Sequence, residues 1–126
     1  MTAMDFDEIL DRYNGSHPLA RIERRPSASC DLLLALSGDM EMKMSSDMAP
    51  ILVAALLECP SRGRFTLDLS RVGYISSTGV GLLATLMVSA EKRLITLSLL
   101  DMPSRVRNIM DTLGLLDFFK LEASDG

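Results

Sequence analysis

Apolar residues along this chain recur at two spacings, which divide it into alternating strands and helices. Phe65-Thr66-Leu67-Asp68-Leu69 alternates apolar and polar positions, as a strand with one buried face does. Leu94–Leu100 repeats the theme, with Thr96 and Ser98 set among aliphatic residues. Asp31–Ser37 is nearly continuous in apolar residues, which predicts a strand covered on both faces and ended by Gly38-Asp39. Leu19–Glu23 predicts a first, edge strand broken by the loop Arg24–Ser29, and Phe118–Leu121 a last strand.

The longer spacing marks helices. Phe6, Ile9, Leu10 and Tyr13 share one face of a short N-terminal helix over residues 3–13, ended by Asn14-Gly15. Met48, Ile51, Leu52, Ala55 and Leu56 form the stripe of a second helix, with Ser45, Ser46 or Asp47 as its cap and Pro50 in its first turn. Leu82, Leu83, Leu86, Met87 and Ala90 mark a third. Val106, Ile109, Met110 and Leu113 mark a fourth, capped by Ser104 and closed by Gly114.

Strands separated by such helices imply right-handed βαβ crossovers. The fold class is therefore α/β: one domain with a mixed sheet of about four to five strands and helices mainly on one face. An N-terminal hairpin would supply the antiparallel edge and the crossovers the parallel centre. Residues 16–126 make up the domain, and residues 1–15 a helical extension that covers part of the core or meets a partner.

Composition narrows the function more than the fold. Hydrophobic residues are 48% and charged residues 24% of the chain, as in an ordinary globular protein. The absence of Trp implies an aliphatic core. A net charge of −4 gives no footprint for nucleic acid or anionic lipid. The longest apolar stretch, Val80–Val88, is far short of the roughly 20 residues that span a bilayer, so no membrane insertion is expected. The acidic N-terminus lacks the basic start of a signal peptide, and a cytoplasmic location follows.

Cys30 and Cys59 stand at no metal-like spacing and read as buried, reduced thiols. His17 is the single histidine, excludes any two-histidine site, and reads as an exposed loop residue. Met40, Met42, Met44 and Met48 read as adaptable packing or a pliable partner surface rather than a soft-metal stripe. No metal or cofactor is expected.

The chemistry concentrates in Ser76-Ser77-Thr78-Gly79-Val80-Gly81, between a strand-like and a helix-like run. Hydroxyls at the mouth of a helix face unpaired N–H groups and the positive end of its dipole, where an oxygen or an added phosphate is favoured. A cap needs one hydroxyl, and the chain supplies three. The glycines do not make a nucleotide loop: no Lys precedes a final Ser or Thr, and the third glycine of a dinucleotide fingerprint is missing. Gly79 suits a sharp turn into the helix, and Gly81 a close approach of helix to sheet. A phospho-acceptor receiver site also fails, because Asp68 lies inside its strand and Asp39 has no acidic neighbour in sequence.

The run Asp68–Leu83 closely resembles the STAS domain of bacterial anti-sigma-factor antagonists, in which a strand ending in Asp-Leu leads into Asp-Ser-Ser/Thr-Gly-Leu-Gly. Leu36-Ser37-Gly38-Asp39-Met40-Glu41 is similar to that family's Leu-x-Gly-Glu-Leu-Asp, and Met110–Phe119 to its closing helix and turn. The resemblance covers roughly residues 18–122, in the same order and spacing.

It implies a non-enzymatic switch. The unphosphorylated antagonist binds a GHKL-type serine kinase that otherwise holds a sigma factor. Phosphorylation ends that binding, and a PP2C-type phosphatase restores it. The implied acceptor is Ser77, with Ser76 and Thr78 as alternatives and Thr78 as cap or support. The implied contact surface is Gly38, Asp39, Glu41, Ser76, Ser77, Thr78 and Gly79. Two departures stand out: Ser76 replaces the family's Asp before the acceptor, and Glu41 replaces the Asp of the earlier motif. The alternative is a non-switching STAS scaffold subunit of an ABC lipid transporter or signalling complex. A homodimer is compatible with either.

Overall fold

The strands follow one another across a single sheet in chain order, β1-β2-β3-β4-β5, in a computed structural model that describes residues 4–124. The elements are α1 (Phe6–Ser16), β1 (Ile22–Arg25), β2 (Leu32–Met40), α2 (Met42–Glu58), β3 (Arg64–Ile75), α3 (Ser77–Lys92), β4 (Thr96–Leu100), α4 (Ser104–Thr112) and β5 (Lys120–Glu122). A single-turn 3₁₀ helix, Leu116–Phe118, precedes β5. β1 pairs with β2 antiparallel, and the remaining neighbours pair in parallel through helical crossovers. This is the mixed α/β sheet that the alternation of patterns predicts.

Alternate residues supply the core. Leu32, Leu34 and Leu36 of β2, Phe65, Leu67 and Leu69 of β3, and Leu97 and Leu99 of β4 join the buried residues of all four helices in one cluster. Each fully buried aliphatic side chain contributes about 1.5–3 kcal/mol. The intervening positions carry polar groups to the other face of the sheet, where Arg25 pairs with Asp68 at 3.4 Å and Ser98 donates to Glu122 at 3.3 Å. α1 belongs to the same core through Phe6, Leu10 and Tyr13.

Several boundaries differ from the sequence pattern, each for a tertiary reason. Arg24 and Arg25 lie in β1, not in a loop, because they pair with Leu34 and Leu33 of β2. α1 runs through Asn14-Gly15: the buried Asn14 side chain both donates to the Ile22 carbonyl and accepts from the Ile22 N–H, substituting for a strand partner. β2 continues through Gly38-Asp39 to Met40, with Gly38 at φ +98° and a Cβ there only 2.2 Å from the Leu19 oxygen. α2 begins at Met42 with Glu41 as its cap, so Pro50 sits inside the helix and leaves the exposed Ser46 carbonyl without its helical donor. α4 has Pro103 at the cap position, and Ser104 is its first residue.

Three side-chain expectations also change. Cys59 is buried but Cys30 only half-buried, and both are free thiols. His17 is not an exposed loop residue; it is half-buried at the C-cap of α1. Gly81 is exposed with nothing within 4 Å of a would-be Cβ, so close helix packing falls to Gly79 instead. Among the described residues no helix is long and apolar enough to cross a membrane, and no acidic, Cys or His cluster could hold a metal ion.

Candidate functional site at the mouth of α3

β2 and β3 run parallel to their last residues, and their final pair is Met40 with Ile75. Each strand then turns into a helix after one residue, Glu41 into α2 and Ser76 into α3. The two helix mouths therefore open side by side at the C-terminal ends of these two neighbouring strands. This brings Gly38, Asp39 and Glu41 to the end of the sheet that holds Ser76, Ser77, Thr78 and Gly79.

The main-chain oxygen of Met40 ties the two mouths together. It accepts from the Ser76 N–H at 2.9 Å, from the Ser76 hydroxyl at 2.9 Å and from the Ser45 hydroxyl at 3.1 Å. Ser45 is fully buried in α2, so this carbonyl is satisfied from both helices at once. The sequence offers Ser45 only as a cap; its work is to join the mouths. Gly79 completes the junction. A Cβ at Gly79 would lie 2.7 Å from Ile75 Cγ1, 3.0 Å from Ser45 Oγ and 3.1 Å from the Met40 oxygen. Only a residue without a side chain lets α3 start this close to α2.

The three hydroxyls divide their roles by geometry. Ser76 is the N-cap: its Oγ accepts from the Gly79 N–H at 3.1 Å while its own proton goes to Met40. A hydroxyl can do both at once, which an ionised carboxylate cannot. Thr78, expected as cap or support, is not the cap: it makes no side-chain hydrogen bond among the described residues and is half-buried. Ser77 is exposed, and its hydroxyl also has no partner among the described residues. Beside it runs a groove of about 370 Å³ between the end of β3 and α4, walled by Tyr74, Ile109 and Leu113 with the polar groups of Ser77, Asn108 and Thr112. The α4 side of this groove is not foreshadowed by the sequence motifs. Ile109 and Leu113 belong to the apolar stripe of α4, yet they lie half-buried and exposed respectively.

The remaining motif residues are placed as follows. Glu41 is exposed and caps α2, its carboxylate accepting from the Met44 N–H at 2.7 Å. Asp39 is exposed near Gly73, where a Cβ would fall 2.9 Å from Asp39 Oδ1. Gly38 answers to the positive φ and the Leu19 backbone rather than to open surface.

Comparison with known proteins places this geometry. An anti-sigma factor antagonist from Mycobacterium paratuberculosis has a similar structure, with TM-score 0.70 and 18% identity over 82% of this chain and 85% of that one. The Bacillus cell fate determinant SpoIIAA in its phosphorylated form gives TM-score 0.61 and 16% identity over 82% and 92%. A murine solute carrier 26 family member A9 anion transporter gives TM-score 0.61 and 20% identity over 68% of this chain, but over only 14% of its own. A search of curated proteins by sequence finds no significant match. The family model described as "Mlab, STAS domain" matches residues 24–121, most of the chain, and this protein belongs to the STAS domain family.

Proposed function

We propose that this protein is a partner-switching regulator of the anti-sigma-factor antagonist type, with Ser77 as its phosphorylated residue. Unphosphorylated, it presents the mouth of α3 to a GHKL-type serine kinase; phosphate on Ser77 ends that contact, and a PP2C-type phosphatase restores it. The observation that carries the reading is the division among the hydroxyls. Ser77 alone is exposed and unengaged, whereas Ser76 is committed to Gly79 and Met40 and Thr78 is partly covered.

Electrostatics supports the same residue. α3 has a neutral cap and no acidic residue in its first turn, so no carboxylate of its own offsets its positive end. A phosphate on Ser77 adds about −1.5 to −2 charges where the domain tolerates them best. At a close-fitting interface the same group brings bulk and an unpaired, desolvated charge. The departure at Ser76 does not weaken this reading: Ser76 keeps the capping role that an Asp would have, and no carboxylate of that residue repels the added phosphate. Among proteins of this fold, SpoIIAA has been solved in both unphosphorylated and phosphorylated forms.

The test is binding to the cognate kinase. Ser77→Asp should bind about 100- to 1000-fold more weakly than Ser77→Ala, equivalent to roughly 3–4 kcal/mol. Equal affinities would overturn the switch.

A second reading is a non-switching scaffold subunit of an ABC lipid transporter or signalling complex. The likeness of fold to 14% of an anion transporter chain is the observation that prompts it. Co-purification with an ATPase subunit, together with native protein free of phosphate by mass spectrometry, would support this reading over the first.

A further inference from the structure

His17 follows the last residue of α1 and stacks on Tyr13, with ring centroids 4.1 Å apart and planes 10° from parallel. Its Nδ1 lies 2.8 Å from the Tyr13 carbonyl oxygen, and its Nε2 lies 3.0 Å from Oδ2 of Asp47 on α2. The carbonyl can only accept. The carboxylate is ionised, since Lys43 Nζ reaches the same Oδ2 at 3.1 Å and the bonds from His17 and Lys43 hold Asp47 below the usual carboxylate range.

A neutral imidazole has one N–H and one lone pair, so it can satisfy only one of these acceptors. The other contact would set lone pair against lone pair. The imidazolium donates to both. Its charge also sits at the C-terminus of α1, where the last carbonyls carry the negative end of the helix dipole.

We propose that protonated His17 is a latch that clamps α1 onto α2, and that the latch loosens as pH rises. The groups facing the ring are Tyr13 from α1 and Asp47 and Lys43 from α2. Lys43 opposes the imidazolium and competes for Asp47, but it is far more exposed, with 73% of its side chain accessible against 18% for His17. What the latch holds is substantial. α1 covers the core with Phe6, Leu10 and Tyr13, and Asn14 beside them fixes the main chain of Ile22 in β1.

The sign follows from the direction of the shift. The Tyr13 carbonyl first, and then Asp47, raise the His17 pKa above its ordinary 6.5. The latch is therefore fully closed below that value and is lost as pH climbs through the raised one.

Because His17 is the single histidine, its ring can be followed without ambiguity in an NMR titration of the intact protein. The titration should show both ring nitrogens protonated below a midpoint above 6.5. Asp47→Asn should lower that midpoint. Hydrogen exchange, corrected for its intrinsic pH dependence, supplies the functional readout. Well below the midpoint, α1 amides of His17→Gln should exchange about 3–10-fold faster than wild type, as for loss of one ordinary, partly exposed hydrogen bond. Well above the midpoint the two proteins should converge. A wild-type midpoint at or below 6.5, an Asp47→Asn midpoint unchanged, or an exchange gap independent of pH would overturn the latch. Should His17→Gln fail to fold, the wild-type and Asp47→Asn titrations still decide.

Discussion

α2 and α3 begin at the C-terminal ends of neighbouring strands and close their ends in different ways. α2 is capped by the Glu41 carboxylate, which places a negative charge against the helix's positive end. α3 is capped by the neutral Ser76 hydroxyl and has no acidic residue in its first turn. Both mouths share the Met40 carbonyl, through Ser45 on one side and Ser76 on the other. The difference teaches which mouth is prepared for an added anion. Ser45 and Ser46 also lie near a helix start, but behind an end that already has its charge, and Ser45 is buried. Ser77 lies at the end that does not.

Substitutions at the two mouths break or sharpen this contrast. The largest effect on stability should come from Gly79→Ala, whose new methyl meets Ile75, Ser45 and Met40 and should cost about 1–3 kcal/mol in urea unfolding. Gly81→Ala, two residues on and with open space around it, should be neutral or stabilising by up to about 1 kcal/mol. If both glycines tolerate Ala equally, the close approach of the two mouths is wrong.

Next comes the cap of α3. Ser76→Ala loses both the Gly79 and the Met40 bonds and should cost about 1–2 kcal/mol, whereas Ser76→Asp keeps the first and should cost less. An Asp variant no better than Ala would mean that the bond to Met40, not the cap, is what matters. Glu41→Ala at the exposed α2 mouth should cost about 0.5–1 kcal/mol by thermal unfolding. Smallest of all, Ser77→Ala should stay within about 0.5 kcal/mol of wild type, because its hydroxyl supports nothing in the fold. A clear loss of stability there would assign Ser77 a structural role and remove the contrast with Ser76.

The candidate site was legible in part. The serine-threonine run, its place at a helix mouth and the glycines after it stand in the sequence, whereas Ser77 as acceptor is what the resemblance implies. The allocation of roles among the hydroxyls was not legible. Adjacent side chains of one chemical type differ only in what surrounds them, and what surrounds Ser76 is Met40, far away in sequence. For the same reason Ser45 read as a cap and Gly81 as the close-packed glycine. The groove beside Ser77 needed α4, which no motif linked to the hydroxyls.

By itself the sequence determined the kinds and order of the elements, because burial on one face imprints a spacing of two or of three to four on consecutive residues. Tertiary structure decided where those elements stop. β2 passes Gly38-Asp39 and β3 runs on beyond Leu69 because each pairs with the other as far as Met40 and Ile75, and α1 outlasts Asn14-Gly15 because Asn14 finds the main chain of Ile22. It also decided what His17 is. A lone histidine in a turn-like sequence becomes a bridge between two helices once folding sets an acceptor at each of its nitrogens. Hydrogen bonds between residues distant along the chain leave no periodic trace in it, and only the folded molecule brings the partners together.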